Sequence, residues 1–428
     1  KDIELTQSKS NLSVGIIDIE VDVPKDAGFP HPSIQSGTSW IPAANHPINA
    51  ITLMHNNPET YYVLALGDDW KHDRDDVDFS SYDTEKELLI DFLAIWRECE
   101  LNVISGWNSL KFDLPYIYHR INKVLGNPNP DGNKTLHGRG LSPWYLYEEN
   151  GISPITDTVQ TRSGKDGYGR PYAYINILGI TQMDYMDLYR KFTFKEQERY
   201  SLDHISHVEL NEKKLDYSEH ENLYNLYRDD YAKFVEYNIK DVELVERLDK
   251  KLGLIDIALT ITMMAKSRHN DFNTSLSPIT AWIFADLVEH KIVMPPEKNR
   301  HKGDLVGGYV SDPITGKHEY IGSFDLNSLY PSIIRSLNLS PETKRHTLPN
   351  ISVRSWLKNG HEELKEKVLL PKKLAVAANG LTFDTSKQGV FPKLTKGLYE
   401  TRSSEKSKML QCQHLISEID LEIEKRQQ

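Results

Sequence analysis

Cysteine is almost absent from this chain: Cys99 and Cys412 are the two it has. Thiols so few and so far apart leave no basis for a disulfide framework or a thiolate metal site, and both read as ordinary reduced thiols. Long apolar runs are missing too. No stretch approaches the roughly 18 residues of a membrane span, and the first residues, Lys1-Asp-Ile-Glu-Leu5, lack a signal-peptide pattern. The expectation is a cytoplasmic protein without a membrane partner. No internal repeat or low-complexity tract is present. Hydrophobic residues at 39% and charged residues at 26% suit a soluble, well-cored protein, and 428 residues suggest two to four domains.

The net charge of −11 at first argues against a polyanionic partner. Charge acts locally, however, and the balance is regional. Residues 341–428 hold 16 Lys and Arg against 11 Asp and Glu, a net of +5, which leaves −16 for residues 1–340. A polyanion would meet the C-terminal part first. The acidic remainder suits a site that concentrates carboxylates on metal ions, most of its acids forming a solvated face.

Apolar periodicity orders the first half as strands giving way to helices. Leu12 to Glu20 reads as a buried strand, Asn49 to His55 and Tyr61 to Leu66 as two more, and Glu85 to Glu98 as an amphipathic helix with Leu88, Leu89, Phe92 and Trp96 on one face. Leu101 to Gly106 is a short strand, Leu114 to Val124 a helix, Ile180 to Tyr189 contains another strand, and Glu221 to Leu252 is strongly helical. That order predicts a mixed sheet flanked by helices. Gly164, Gly167 and Gly169 between strand-like flanks make Val159 to Leu178 a protruding hairpin, either a plain surface loop or a DNA contact.

Ile255 to Lys291 is mostly helical, and Pro295, Pro296 and the polar run Glu297 to Lys302 mark a boundary. A second domain should begin near Asp304. It is expected to hold a strand ending at Asp325, a helix from Pro331 to Leu337, a basic, partly helical run through Lys373 and a turn near Gly380. From about Pro392 one long helix rich in Lys, Glu, Gln and Leu runs to the end.

Four acids stand out by placement. Asp18 and Glu20 are two apart on the first strand, so both project to one face, where they repel unless a cation joins them. Asp113, in Asn108-Ser-Leu-Lys-Phe-Asp-Leu-Pro115, lies at a strand-to-helix junction. Tyr237 and Asp241, in Tyr237-Asn-Ile-Lys-Asp241, are four apart and share a helical face. Any one of these acids alone is more often a surface residue or a helix cap. A fifth, Asp325, lies in Ser323-Phe-Asp-Leu-Asn-Ser-Leu-Tyr-Pro-Ser-Ile-Ile334 just before a Tyr-Pro turn. A carboxylate there can hold Mg²⁺ while backbone N–H groups of the turn receive a triphosphate, although a buried strand before a Pro turn looks the same.

The Asp325 stretch resembles the first polymerase motif of the family B DNA polymerases, and its continuation Arg335-Ser-Leu-Asn-Leu-Ser-Pro-Glu342 is similar to the T-even bacteriophage branch. Asp-x-Glu on a first strand, Asn-x-x-x-Phe-Asp after a later strand and Tyr-x-x-x-Asp in a late helix together resemble the three motifs of that family's proofreading exonuclease. The resemblance implies an α/β fold. Its parts would be an RNase H-like mixed-sheet exonuclease domain over residues 1–253, a helical connector over 254–302, a partial α+β polymerase palm over 303–391 and a truncated first fingers helix over 392–428. The implied reaction is hydrolysis of the terminal phosphodiester at a single-stranded 3′ end by two Mg²⁺ ions, or Mn²⁺, about 4 Å apart. By the same resemblance Asp18, Glu20 and Asp241 ligate the first ion, Asp18 also the second, Asp113 acts on the second directly or through water, and Tyr237 orients the attacking water. Crowded without metal, these carboxylates should raise one another's pKa, so activity should fall toward acid.

Phe29, in Asp26-Ala-Gly-Phe-Pro-His-Pro32, follows the metal strand as a matching Phe does in the phage enzymes, where it contacts the frayed end. Stacking suits a sequence-tolerant grip on single strands; a Phe beside two prolines is equally a loop plug. Asn108 either binds substrate or caps its turn.

For the second half, the resemblance implies that Asp325 and the backbone at Leu326 hold metal, that the turn through Ser328, Leu329 and Tyr330 holds a triphosphate, and that the Tyr330 ring lies beneath the deoxyribose, where a ribose 2′-hydroxyl would collide. Asn327 departs from the smaller Thr of the phage pattern. Arg402 and Lys406, four apart, match the pair that grips the nucleotide's phosphates; alone they would be an exposed basic face. Gly307-Gly-Tyr-Val310 resembles the Gly-rich link between the two halves.

No Lys-x-x-x-Asn-Ser-x-Tyr-Gly and no Asp-Thr-Asp-Ser is present, so a second palm carboxylate is missing and nucleotidyl transfer is not expected from this chain alone. The expectation is a proofreading exonuclease with half a palm, either one piece of a split enzyme or an excerpt of a longer one. It would bind single-stranded and primer-template DNA and, once paired with a C-terminal polymerase fragment or subunit, a dNTP; a sliding clamp would act through the part not present. Ile333, Leu337 and Leu410 are where that partner would meet exposed apolar surface. The alternative is a non-catalytic DNA-binding and assembly subunit of a split polymerase, marked by salt-steep binding without nucleotide release.

Overall fold

In the computed structural model, residues 12–126, 138–145, 158–165, 169–193, 195–293, 310–326, 328–349, 351–359, 361–364, 366, 369 and 371–427 are described. The chain divides into two units, Lys1–Trp282 and Ile283–Gln428. In the first, the order is β1 (Val14–Val21), β2 (Ser33–Ser36), β3 (Ser39–Pro42), β4 (Ile48–Asn56), β5 (Glu59–Leu66), β6 (Val77–Tyr82), α1 (Glu85–Glu98), β7 (Val103–Gly106) and α2 (Asp113–Leu125). There follow β8 (Val159–Lys165), β9 (Pro171–Ile177), β10 (Thr181–Asp184), α3 (Tyr185–Phe192), α4 (Leu202–Leu210), α5 (Leu223–Asp229), α6 (Tyr231–Leu252) and α7 (Leu254–Met264), and the division between units falls within α8 (Leu276–Glu289).

Six strands form a mixed sheet in the order β10-β7-β1-β4-β5-β6. β1 is parallel to β7 and antiparallel to β4. Its apolar residues serve both faces. Val14 and Ile16 turn toward α6, where Phe234, Val242 and Val245 pack, while Ile17 and Ile19 turn toward Leu88 and Phe92 of α1 and Leu114 and Ile117 of α2. Each such buried side chain contributes about 1.5–3 kcal/mol, so the sheet is held from two sides. The same alternation turns Asp18 and Glu20 to the α6 face, at the carboxyl end of β1.

The expected helix from Glu221 to Leu252 is two helices. Asp230 leaves helical geometry (φ −144°, ψ 79°) and its Oδ1 accepts the Lys233 N–H at 3.1 Å, so it caps α6 and ends α5. The short β2–β3 hairpin, β6 and α4 add to the elements read from the sequence. β8 and β9 pair as an antiparallel hairpin from Val159↔Ile177 to Lys165↔Pro171; Gly167 lies outside the described residues.

The second unit contains α9 (Leu329–Ser336), β11 (Lys344–Thr347), α10 (Val353–Asn359), β12 (Leu374–Val376), β13 (Leu381–Asp384) and α11 (Val390–Gln427). Its three strands form an antiparallel sheet in the order β11-β13-β12. Gly380, at φ +85°, makes the turn into β13. α9 packs on α11, with the Arg335 guanidinium 4.2 Å from the centre of the Tyr399 ring.

The strand expected before Asp325 does not form: residues 310–326 have no regular structure, and Phe324 is 98% exposed. A strand persists only where its backbone groups find a ladder partner, and every described strand of this unit lies between 344 and 384. The boundary at Pro295 and Pro296, the run 297–302, Asp304, Gly307 to Tyr309 and Asn327 lie outside the described residues. Among the described residues no helix is long and apolar enough to cross a membrane.

Candidate metal and substrate site

Packing of α6 on β1 joins the acids of the two elements. One carboxylate oxygen from each of Asp18, Glu20 and Asp241 lies within 4.8 Å of the other two. Like charges 4 Å apart repel by about 4 kcal/mol at an effective dielectric of 20, so three ionised carboxylates this close require a counter-charge. Asp241 is buried, and its Oδ1 has no hydrogen-bond partner. An interior oxygen left unpaired in this way fits a hard divalent cation.

Lys214, in the segment between α4 and α5, supplies part of the counter-charge. Its Nζ lies 2.5 Å from Asp241 Oδ2 and donates to Tyr237 Oη at 3.1 Å. The Tyr237 ring is buried and meets Tyr217 edge to face, 5.2 Å between centres. Asp113, the first residue of α2, is buried beside the group of three: its Oδ1 accepts the Ile19 N–H at 3.2 Å, midway between Asp18 and Glu20 in sequence. Asn238 donates Nδ2–H to Asp18 Oδ2 at 2.9 Å.

Burial, and then mutual repulsion, raises these acids. Burial and the charges of Asp113, Asp241 and Glu20 hold Asp18 well above the carboxylate range. Glu20 is pushed up to about 8 by burial and by Asp241, with Lys214 opposing. Burial takes Asp113 to about 7 against the Ile19 N–H, and it raises Asp241 against the nearby Lys214. Burial alone would lower Lys214, but Asp241, Tyr237 and Asp18 hold its ammonium well above the usual lysine value. The Tyr237 hydroxyl is raised by burial, Asp241 and Glu20, and stays protonated.

The segment leading to Asp113 is clamped at its start. A Cβ on Gly106 would lie 2.4 Å from the Ile17 carbonyl oxygen, so only glycine lets β7 end this close to β1. Asn108 takes φ +67°. Asp184, which caps α3, accepts the N–H groups of Asn108 (3.2 Å), Leu110 (3.1 Å), Met186 (3.1 Å) and Asp187 (3.3 Å). Lys111 pairs with Asp187 at 3.0 Å. Nearby, Phe29 is 66% exposed and its ring lies 5.5 Å from Phe112. With Asn108, Trp40 and Tyr172 these two rings line a groove of about 380 Å³.

Two family models match the chain: the exonuclease domain of DNA polymerase family B over residues 6–205, and DNA polymerase family B over residues 273–428. The chain belongs to DNA polymerase family B. It is 30% identical over 437 residues to the DNA-directed DNA polymerase of Escherichia phage RB69, covering 96% of this chain and 44% of that one. To the DNA-directed DNA polymerase of Enterobacteria phage T4 it is 29% identical over 435 residues, 95% of this chain and 43% of the other. The DNA polymerase delta catalytic subunit of Schizosaccharomyces pombe is 27% identical over 267 residues, 60% of this chain and 23% of that subunit. The chain thus spans less than half the length of these relatives.

In this family B chain the second-unit residues are arranged differently from the first. Asp325 is exposed, Leu326 is 69% exposed and Tyr330 75%, and Ser328, at φ +51°, precedes α9, in whose first turn Leu329 and Tyr330 stand. Arg402 and Lys406 are exposed on α11. Among the described residues, Asp18, Glu20 and Asp241 are the acids gathered tightly enough for an ion, and Asp325 is not in such a group. Sequence reading missed Lys214, Asn238, Thr52 and Asp184. Of these, Asn238 alone carried a signal, its place beside Tyr237.

Proposed function

We propose that the first unit is a 3′-to-5′ exonuclease of RNase H-like fold acting on single-stranded DNA ends. The observation that carries this reading is the convergence of Asp18, Glu20 and Asp241 around a buried, unpartnered Asp241 oxygen. The donors are all hard carboxylate oxygens and fit two Mg²⁺ ions, with Mn²⁺ as the alternative. Asp18, Glu20 and Asp241 would hold one, Asp18 and Asp113 the other. Bound there, the ions would supply an activated water and charge stabilisation for the leaving 3′ oxygen.

The chain's own groups do the rest. Lys214 donates to Tyr237 Oη, which fixes the hydroxyl beside the Asp241 carboxylate, where it would meet the attacking water or a phosphate oxygen. Phe29 and Phe112 both line the groove, which suits stacking on a terminal base of any sequence. Asn108 stands beside them in the groove wall.

The second unit is proposed to lend Asp325, the Leu326–Tyr330 turn, Arg402 and Lys406 to nucleotidyl transfer when joined to the rest of palm, fingers and thumb, with primer-template DNA and a dNTP as ligands. Exposure of Phe324, Tyr330, Leu410, Leu415 and Ile419 supports a partner segment that covers them. The same exposure favours the second reading, an assembly subunit that binds DNA without cutting it.

The test is polarity. A 5′-labelled single strand incubated with Mg²⁺ should shorten stepwise from its 3′ end, and a 3′-terminal phosphorothioate should stop it. Internal cleavage or shortening from the 5′ end overturns the proposal. Salt-steep binding with no shortening selects the assembly subunit.

A further inference from the structure

The two oxygens of Asp18 are not equivalent. Oδ2 accepts the Asn238 amide N–H at 2.9 Å, and Asn238 is itself oriented, because its Oδ1 accepts the Thr52 hydroxyl at 2.5 Å. Turned over, the amide would set its oxygen against the Asp18 carboxylate, acceptor against acceptor. Thr52 stands directly opposite Asp18 in the β1–β4 ladder, and Thr52 and Asn238 are both 0% exposed. Water therefore cannot substitute for the Thr52–Asn238 link. Asparagine is also an indifferent residue for a helix interior, so α6 gains little in helix stability from it.

We propose that Thr52 and Asn238 are positioning residues for the ion site: they hold Asp18 by Oδ2 so that its other oxygen faces the cation shared with Glu20 and Asp241. This rests on the reading of the carboxylate cluster as a metal site. A neutral amide is suited to the task. It stabilises the ionised form of Asp18 without bringing a positive charge that would compete with the ion, as the Lys214 ammonium does at Asp241. Outer-shell partners of this kind are typically worth roughly 10–100-fold in metal affinity.

The experiment is Mn²⁺ binding to the full chain at about pH 8, read by electron paramagnetic resonance of the free ion. Its variants are Asn238→Leu, Thr52→Val, Thr52→Ser and the double change Asp18→Ala with Glu20→Ala. Asn238→Leu should weaken binding by roughly tenfold or more. Thr52→Val should weaken it less, and Thr52→Ser should restore the parental affinity. If Asn238→Leu does not fold, the Thr52 pair decides alone. Parental affinity in both Asn238→Leu and Thr52→Val, with binding lost in the double variant, overturns the positioning role and leaves the metal site standing. Binding that survives the double variant overturns the metal site and the positioning role together.

Discussion

Lys214 Nζ lies 2.5 Å from Asp241 Oδ2, and the carboxylate it touches has its other oxygen buried without a hydrogen-bond partner. One oxygen of Asp241 is thus matched by the chain and the other is left for an external cation. The same ammonium donates to Tyr237 Oη, so the charge that steadies Asp241 also fixes the tyrosine.

Lys214→Met keeps the aliphatic stem and removes the charge. Breaking a buried pair on one side typically costs about 3–5 kcal/mol, because the remaining charge is uncompensated. Urea unfolding without metal at about pH 8 should show a loss near the lower end, since the Lys214 side chain is 28% exposed, and Mg²⁺ should recover part of it. Nucleotide release should fall by roughly 100-fold as Tyr237 loses its anchor. Unchanged stability and rate contradict the role given to this pair.

The titration of the cluster sets a pH dependence. Glu20 is pushed up to about 8 and Asp113 to about 7 in the folded chain, against unfolded values of about 4. Between about pH 4 and 8 the folded state holds protons that the unfolded state has released, so these groups subtract stability as pH rises. Glu20→Gln should therefore melt like the parent near pH 4 and increasingly above it toward pH 8 in metal-free buffer. Mg²⁺, which needs the ionised form, should raise the parent's melting temperature more at the alkaline end. A Glu20→Gln advantage that shrinks with pH has the wrong sign.

Gly106→Ala places a Cβ 2.4 Å from a backbone oxygen that cannot step aside. The expected loss is about 1–3 kcal/mol, with a lower rate of nucleotide release as the segment carrying Asp113 is pushed from β1. Gly397→Ala, in open space on α11, should instead gain about 0.5–1 kcal/mol. Equal effects of the two substitutions in denaturant melts contradict this difference.

Much of the site was legible because it obeys short-range periodicity. A spacing of two on β1 gave Asp18 and Glu20 a common face, and a spacing of four on α6 did the same for Tyr237 and Asp241. Lys214 was not legible: it sits beside Lys213 in a polar connection, and only tertiary packing distinguishes the two. Thr52 is visible only in the β1–β4 register, which a sequence does not state. Asp230 broke a helix that periodicity alone would continue, by capping Lys233. The strand expected to end at Asp325 failed for the opposite reason, since apolar content does not supply a ladder partner.

Phe29→Ala should weaken binding of a single strand by about 1–3 kcal/mol, the usual worth of one base stacked on an aromatic ring. Fluorescence anisotropy in the Asp18→Ala, Glu20→Ala background, where DNA should survive, reads this directly. Affinity equal to that background removes Phe29 from the substrate groove.

The most direct test is release of mononucleotides from a 3′-ended single strand by the purified chain with Mg²⁺, beside the Asp18→Ala, Glu20→Ala double variant. Release by the parent and none by the variant is the expected result. Tight DNA binding without release from the parent, or release that survives the double substitution, would contradict the assignment of this carboxylate cluster as an exonuclease site.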